Sequence, residues 1–269
     1  MNYKKFTQNH PAIIYFLVTF IISWIGAFIL VAPKLVGGQP IAKMDGILMF
    51  PIMLLGPAAA SIILTTLTEG RTGLRNLLSR MGKWKVPIKW YVIALVVPPC
   101  LIMVVLLFLK NFVFQAFKPN FFYFGFLFGI PAGFFEEIGW TGYAFPKLRL
   151  KQNLLKASII LGFFWGLWHL PVIDFLGSAS PHGAYLLPFF IAFIAILTAL
   201  RVFIAWIYSN TNSILVAQFS HAVSTGCIAM LGPAALSPAQ ETLWYSSYAV
   251  ILWVTVLTIL RFEKKNSIL

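Results

Sequence analysis

The sequence predicts an all-α polytopic membrane protein, a bundle of eight transmembrane helices around an inward-facing polar cavity. Three observations carry this. Hydrophobic types make up 60% of the 269 residues and charged types 10%, where soluble domains carry about 25% charged residues. Mean hydropathy is +0.87. Apolar segments near the ~20 residues needed to cross ~30 Å of hydrocarbon recur along the whole chain. A soluble globule of this size could not cover its surface with 20 basic and 7 acidic side chains. Disorder, a collagen-like chain and a secreted disulfide scaffold are excluded by the same balance.

The eight apolar segments run over 11–32, 47–67, 89–109, 121–145, 156–176, 186–208, 212–231 and 243–262. The first follows Met-Asn-Tyr-Lys-Lys and could imitate a signal peptide. Phe28 to Pro33 offers no small-residue cleavage site, so a retained span is expected. The second contains Pro51 and Pro57, the fourth Pro131 and Gly133. Helix breakers are tolerable in a bundle whose neighbours satisfy the freed carbonyls. The loop from Glu69 to Lys89 carries Leu74, Leu77, Leu78 and Met81 at helical spacing, with Arg71, Arg75 and Arg80 between them. That pattern predicts a short helix lying in the inner interface. No loop is long enough for a soluble domain, so residues 1–269 are expected to form one integral membrane domain.

Charge placement supports the count. With the N-terminus cytoplasmic, the inner side receives Lys4, Lys5, Arg71, Arg75, Arg80, Lys83, Lys85, Lys89, Lys147, Arg149, Lys151, Lys156, Arg261, Lys264 and Lys265. The outer loops receive only Lys34, Lys43, Lys110 and Lys118. This is a positive-inside bias with both termini inside. The formal net charge of +13 is then topology and contact with anionic lipid at the inner face, with no nucleic-acid module to suggest another partner. Cys100 and Cys227 fall in apolar runs and are expected to be buried.

The ionisable residues within the spans point to chemistry. Glu136 and Glu137 are adjacent inside the fourth segment, and a carboxylate at bilayer depth costs a few kcal/mol unless paired, hydrated or neutral. His169 lies in Trp168-His169-Leu170-Pro171 and His221 in Ser220-His221-Ala222. At the helical rise, Glu136 is about 16 Å from Lys147, His169 about 20 Å from Lys156, and His221 about 14 Å from Asn212. A carboxylate and two imidazoles thus reach a similar depth on three helices. Glu136, His169 and His221 could hold a divalent metal with a water, or position a water directly. Arg201 either snorkels inward or pairs with Glu136 or Glu137. His10 and His182 read as surface residues, and Asp174 as a local cap or pair. Gly142, Gly162 and Gly166 read as close-packing positions. His-Glu-x-x-His, Walker A and Gly-x-Ser-x-Gly motifs are absent.

Three segments carry a resemblance to a known family. Glu136-Glu137-Ile-Gly-Trp-Thr141, Trp165-Gly-Leu-Trp-His169 and His221-Ala-Val-Ser-Thr225 are similar to the Glu-Glu-x-x-x-Arg, Phe-x-x-x-His and His-x-x-x-Asn motifs of the CPBP intramembrane proteases. That family includes the type II CAAX prenyl endopeptidases and bacteriocin-processing or immunity proteins. The likeness covers 120–231, the expected catalytic core. Thr141 stands where the motif has Arg, Trp165 where it has Phe, and Thr225 where it often has Asn. The resemblance implies hydrolysis of a membrane-associated or lipidated peptide by an activated water. Glu136 would be the general base, His169 would hold the water, and His221 and Thr225 would face the oxyanion. Glu137 would pair with a cation, for which Arg201 could substitute from another helix, with Thr141 and Trp165 in support. A Zn²⁺ on Glu136, His169 and His221 would suit the ligand types. The expected location is a bacterial plasma membrane. Two other readings stand beside the peptidase: a non-catalytic immunity or peptide-binding protein of the same fold, and a proton-coupled transporter.

Overall fold

The computed structural model describes residues 9–266, with side chains described through 262. Lys4, Lys5 and the side chains of Lys264 and Lys265, counted above as inner-side charges, lie outside the described residues. Every regular element among the described residues is helical. In chain order they are α1 (Pro11–Val36), α2 (Lys43–Met53), α3 (Leu55–Met81), α4 (Ile88–Phe112), α5 (Phe126–Gly139), a π-helical turn (Trp140–Ala144), α6 (Phe145–Arg149), α7 (Leu154–Trp168), α8 (Leu186–Thr211), α9 (Ile214–Leu231) and α10 (Pro238–Asn266).

The expected count of eight spans is corrected. Six helical stretches among the described residues are long and apolar enough to cross a membrane: α1, α2 with α3, α4, α8 with its leading turn, α9 and α10. The fourth and fifth predicted segments fail for separate reasons. Phe121 and Phe122 are apolar but not helical, and Tyr123–Gly125 forms only a single 3₁₀ turn. Phe121 has φ of 54°, and the amides of Asn120 and Phe122 bond to the carbonyls of Leu231 and Met230. The helix there begins only at Phe126, and its 14 residues rise about 21 Å before the π turn. Helix α7 has 15 residues, about 22 Å, and stops at His169. Pro171 follows, and the chain continues as a 3₁₀ turn over Leu170–Phe175. Both segments that carry the paired motifs are therefore short helices with irregular ends, set among longer apolar ones.

The amphipathic stretch after Glu69 is helical, but it belongs to α3 instead of standing alone. The helix kinks at Gly70, where φ is 63° and ψ is −151°, a conformation open to glycine. Leu77 faces the core while Leu78 is exposed. Cys227 is buried as expected, but Cys100 is exposed. An apolar run in a membrane helix has a lipid-facing side as well as a buried one, and Cys100 is on that side.

Glycines set the helix contacts that matter for the site. Gly125, Gly129 and Gly133, four residues apart on one face, meet α9. A Cβ on Gly129 would collide with the Ala222 carbonyl, and one on Gly133 with the Gln218 carbonyl. Backbone-to-backbone approach of this kind is how membrane helices pack without bulky side chains between them. Gly162 and Gly166 do the same for α7 against Thr198 and Ile194 of α8. Hydrogen bonds tie Arg80 to Tyr208, Lys83 to Thr211 and Lys147 to Glu69 at one end of the bundle. At the other end, Lys34 pairs with Asp45 and Lys43 bonds the Gly177 carbonyl.

Candidate functional site

The close α5–α9 crossing brings Glu137 against His221. The ring Nδ1 of His221 lies 2.8 Å from Oε1 of Glu137. A carboxylate oxygen only accepts, so Nδ1 carries the proton and Nε2 is the ring nitrogen free for other chemistry. From α8, Arg201 reaches the same carboxylate with two parallel bonds, Nη2 to Oε1 at 2.6 Å and Nη1 to Oε2 at 2.8 Å. Both side chains are fully buried. The Thr141 hydroxyl donates to Oε2 of Glu137 and accepts from Arg201 Nη1 at 3.2 Å. Glu137 is thus the centre of a closed, charge-assisted network, and Arg201 does not snorkel. Thr141 stands at the motif's Arg position and joins the network as its neutral member, with the cation arriving from α8.

Glu136 is held differently. Its Oε2 accepts from the indoles of Trp140 at 3.0 Å and Trp165 at 2.6 Å. Two neutral donors fix the carboxylate without neutralising it, and neither takes Oε1. Trp140 sits one turn on in the π turn, while Trp165 comes from α7. Trp140 contacts the rings of Tyr15 and Trp168, which wall this side with aromatic surface.

Trp165 joins the parts. Besides its bond to Glu136, its ring lies under the Arg201 guanidinium at 4.5 Å, meets the His221 ring edge-on at 4.9 Å, and is 6.3 Å from the His169 ring. Its carbonyl binds Nδ1 of His169 at 2.9 Å. That carbonyl is available because α7 ends at Trp168, with His169 as its C-cap and the His169 amide turned to the Gly166 carbonyl. Again Nδ1 must be the donor, so Nε2 is the basic nitrogen. Phe50, Trp168 and Phe193 surround the His169 ring.

The structure therefore gathers Glu136, Glu137, Thr141, His169, Arg201 and His221 around Trp165. Thr225 is not brought to the network. It lies one turn beyond His221, half-buried, with no hydrogen bond to either glutamate or either imidazole. No three His, Cys, Asp or Glu side chains among the described residues group as metal ligands. The bonds above engage Oε2 of Glu136 and Nδ1 of His169 and His221, so Oε1 of Glu136 and the two Nε2 atoms are the ones that would hold a Zn²⁺, which would supply a polarised water there.

Sequence reasoning missed a second cluster on the far side of the bundle. His182, expected at the surface, is buried at 1% exposure. Its Nδ1 is 3.0 Å from Asp174 Oδ1 and its Nε2 3.4 Å from Glu241 Oε2. Glu241 also accepts the amides of Ser178 and Ala179 at 2.9 and 2.8 Å. Burial pulls the His182 pKa down, but the carboxylates of Glu241 and Asp174 outweigh it and leave it above the ordinary histidine value. Asp174 does pair locally. Its partner's other carboxylate is far along the chain, where no local spacing could reveal it.

Comparison with known proteins points one way. Residues 118–227 match the family described as type II CAAX prenyl endopeptidase Rce1-like. The chain is also similar to the CAAX prenyl protease 2 of Methanococcus maripaludis, with 27% identity over 230 residues, covering 77% of this chain and 80% of that protein.

Proposed function

Because the chain belongs to the Rce1-like family of type II CAAX prenyl endopeptidases, we propose that it is an intramembrane endopeptidase that hydrolyses a membrane-associated peptide with a Glu- and His-activated water. The observation that carries this is the convergence of Glu136, His169, His221 and the Arg201–Glu137 pair on Trp165.

The chemistry follows from the hydrogen bonds. Glu136, oriented through Oε2 by two indoles, uses Oε1 to take a proton from water as the oxygen attacks the scissile carbonyl. His169, its tautomer set by the Trp165 carbonyl, holds that water through Nε2. Glu137 accepts Nδ1–H of His221 and fixes the ring so that, when Nε2 also carries a proton, its Nε2–H faces the developing oxyanion. Thr225, four residues on along the same face of α9, is the second donor to that oxyanion. Glu136 returns its proton to the departing amine as the C–N bond breaks, leaving a carboxylate and an amine. Arg201 keeps Glu137 ionised throughout and does not meet substrate. The substrate class follows the relative's name, a peptide with a prenylated cysteine near its C-terminus.

The test is cleavage of a quenched fluorogenic peptide bearing a farnesylated Cys-aliphatic-aliphatic-X terminus by the purified chain. Glu136→Gln keeps the shape and both indole contacts and is expected to lose activity by at least about 10²-fold, the contribution of a general base. Cleavage by that variant at the wild-type rate would reject the assignment.

A further inference from the structure

At the end of the bundle marked by Arg80, Lys83 and Lys147, a cavity of about 290 Å³ opens between α3, the π turn with α6, and the C-terminus of α8. Its wall includes Arg80, Lys147, Glu69, Tyr208 and Asn212. Lys147 and Glu69 neutralise each other at 2.5 Å. Arg80 is different. Nε donates to Asn76 Oδ1 at 2.9 Å, Nη1 to the Tyr208 hydroxyl at 2.6 Å, and Nη2 to the Gly142 carbonyl at 2.9 Å. All three acceptors are neutral, and among the described residues Arg80 forms no ion pair. A guanidinium has five N–H donors, so two remain. The cavity thus holds a half-buried cation fixed in place by three bonds, still charged, with donors to spare.

We propose that this cavity binds a phosphate oxyanion through Arg80. Three features favour it. A planar guanidinium held rigidly by neutral partners is preorganised for bidentate contact with phosphate. The volume is close to the lower bound for small-ligand sites, enough for a phosphate with its glycerol-sized substituent. The cavity also lies at the end where the basic side chains gather, the level at which lipid phosphates or soluble phosphate esters would meet it. The site is separate from the acid–imidazole network and does not depend on the peptidase reading. It touches the network's scaffold only through the Gly142 carbonyl, next to Thr141.

The experiment uses the purified full chain. Thermal unfolding in detergent is followed by tryptophan fluorescence against inorganic phosphate. In parallel, retention of phosphatidylglycerol against phosphatidylcholine is counted by native mass spectrometry. A saturable rise in Tm with inorganic phosphate assigns a soluble phosphate group as ligand. Selective retention of phosphatidylglycerol without a phosphate response assigns the lipid headgroup. In either case Arg80→Gln is expected to weaken binding about ten- to a hundredfold, the scale of charge-assisted hydrogen bonds. Lys147→Gln leaves all three Arg80 bonds in place but strips Glu69 of its partner, so that a bare carboxylate on the cavity wall repels the anion; it tests the site even if Arg80→Gln folds poorly, and is expected to weaken binding severalfold. No saturable binding of either probe, or binding unchanged in both variants, overturns the proposal.

Discussion

Removing the Arg201 side chain tests the structural logic of the network most sharply. Arg201 and Glu137 are both fully buried, joined by bonds of 2.6 and 2.8 Å. Arg201→Met keeps much of the apolar stem but leaves Glu137 with only Thr141 and His221. Breaking a buried pair from one side costs about 3–5 kcal/mol, because the remaining charge is desolvated and uncompensated. At roughly 2–4 °C per kcal/mol for a chain of this size, Tm should fall by about 6–20 °C. The double variant Arg201→Met with Glu137→Leu removes both charges. It should recover most of the loss, since replacing a buried pair by apolar groups is often neutral or stabilising. It should still be inactive, because His221 has lost the carboxylate that sets its proton. The assays are fluorescence-detected unfolding in one detergent and cleavage of the farnesylated peptide. A Tm for Arg201→Met within about 3 °C of wild type, or a double variant less stable than the single one, would refute the reasoning.

Other outcomes follow from the same geometry. Trp165→Phe deletes one of the two donors to Glu136 while keeping a ring in place, and should cost about ten- to a hundredfold in kcat/KM with the chain still folded, read by steady-state kinetics. Gly129→Ala places a methyl against the Ala222 carbonyl and should lower stability by about 1–3 kcal/mol, visible as loss of folded yield and Tm. His182 holds its proton more tightly folded than unfolded. Its stabilising contribution is therefore complete below about pH 6.5 and is lost as pH rises through the folded-state value. A Tm-against-pH series should show that decline in the wild type and lose it in His182→Gln. A wild-type Tm that rises across the same range would contradict the pairing.

How much of this could be read from residues alone varies with the kind of interaction. Glu136, Glu137, His169 and His221 stood out because ionisable groups inside apolar runs are expensive and need a reason. Arg201 stood out for the same cause, but only the fold shows that it pairs with Glu137. Trp165 was legible as a motif position, not as the point where four other groups meet. The span count went astray because composition treats Phe121–Gly125 as part of a span, while the backbone there bonds across to Leu231 and Met230. The glycines at 125, 129 and 133, spaced four apart, are a visible signal of the α5–α9 contact. His182 was illegible, since Glu241 approaches it from a helix that begins more than fifty residues later. Cys100 shows the converse limit, because apolar surroundings in sequence do not distinguish a core from a lipid-facing side.

The reach of Glu241 back to Ser178 and Ala179 bears on how the chain can be dissected. The stretch shared with the family ends at residue 227, before α10 begins. Yet α10 supplies the clamp on the connector that leaves the His169 turn and leads into the helix bearing Arg201. A fragment trimmed to the shared stretch would keep Glu136, His169, Arg201 and His221 and lose what anchors the strap between His169 and Arg201. The unit these bonds hold together is larger than the recognisable one, and truncation studies should retain the C-terminal helix.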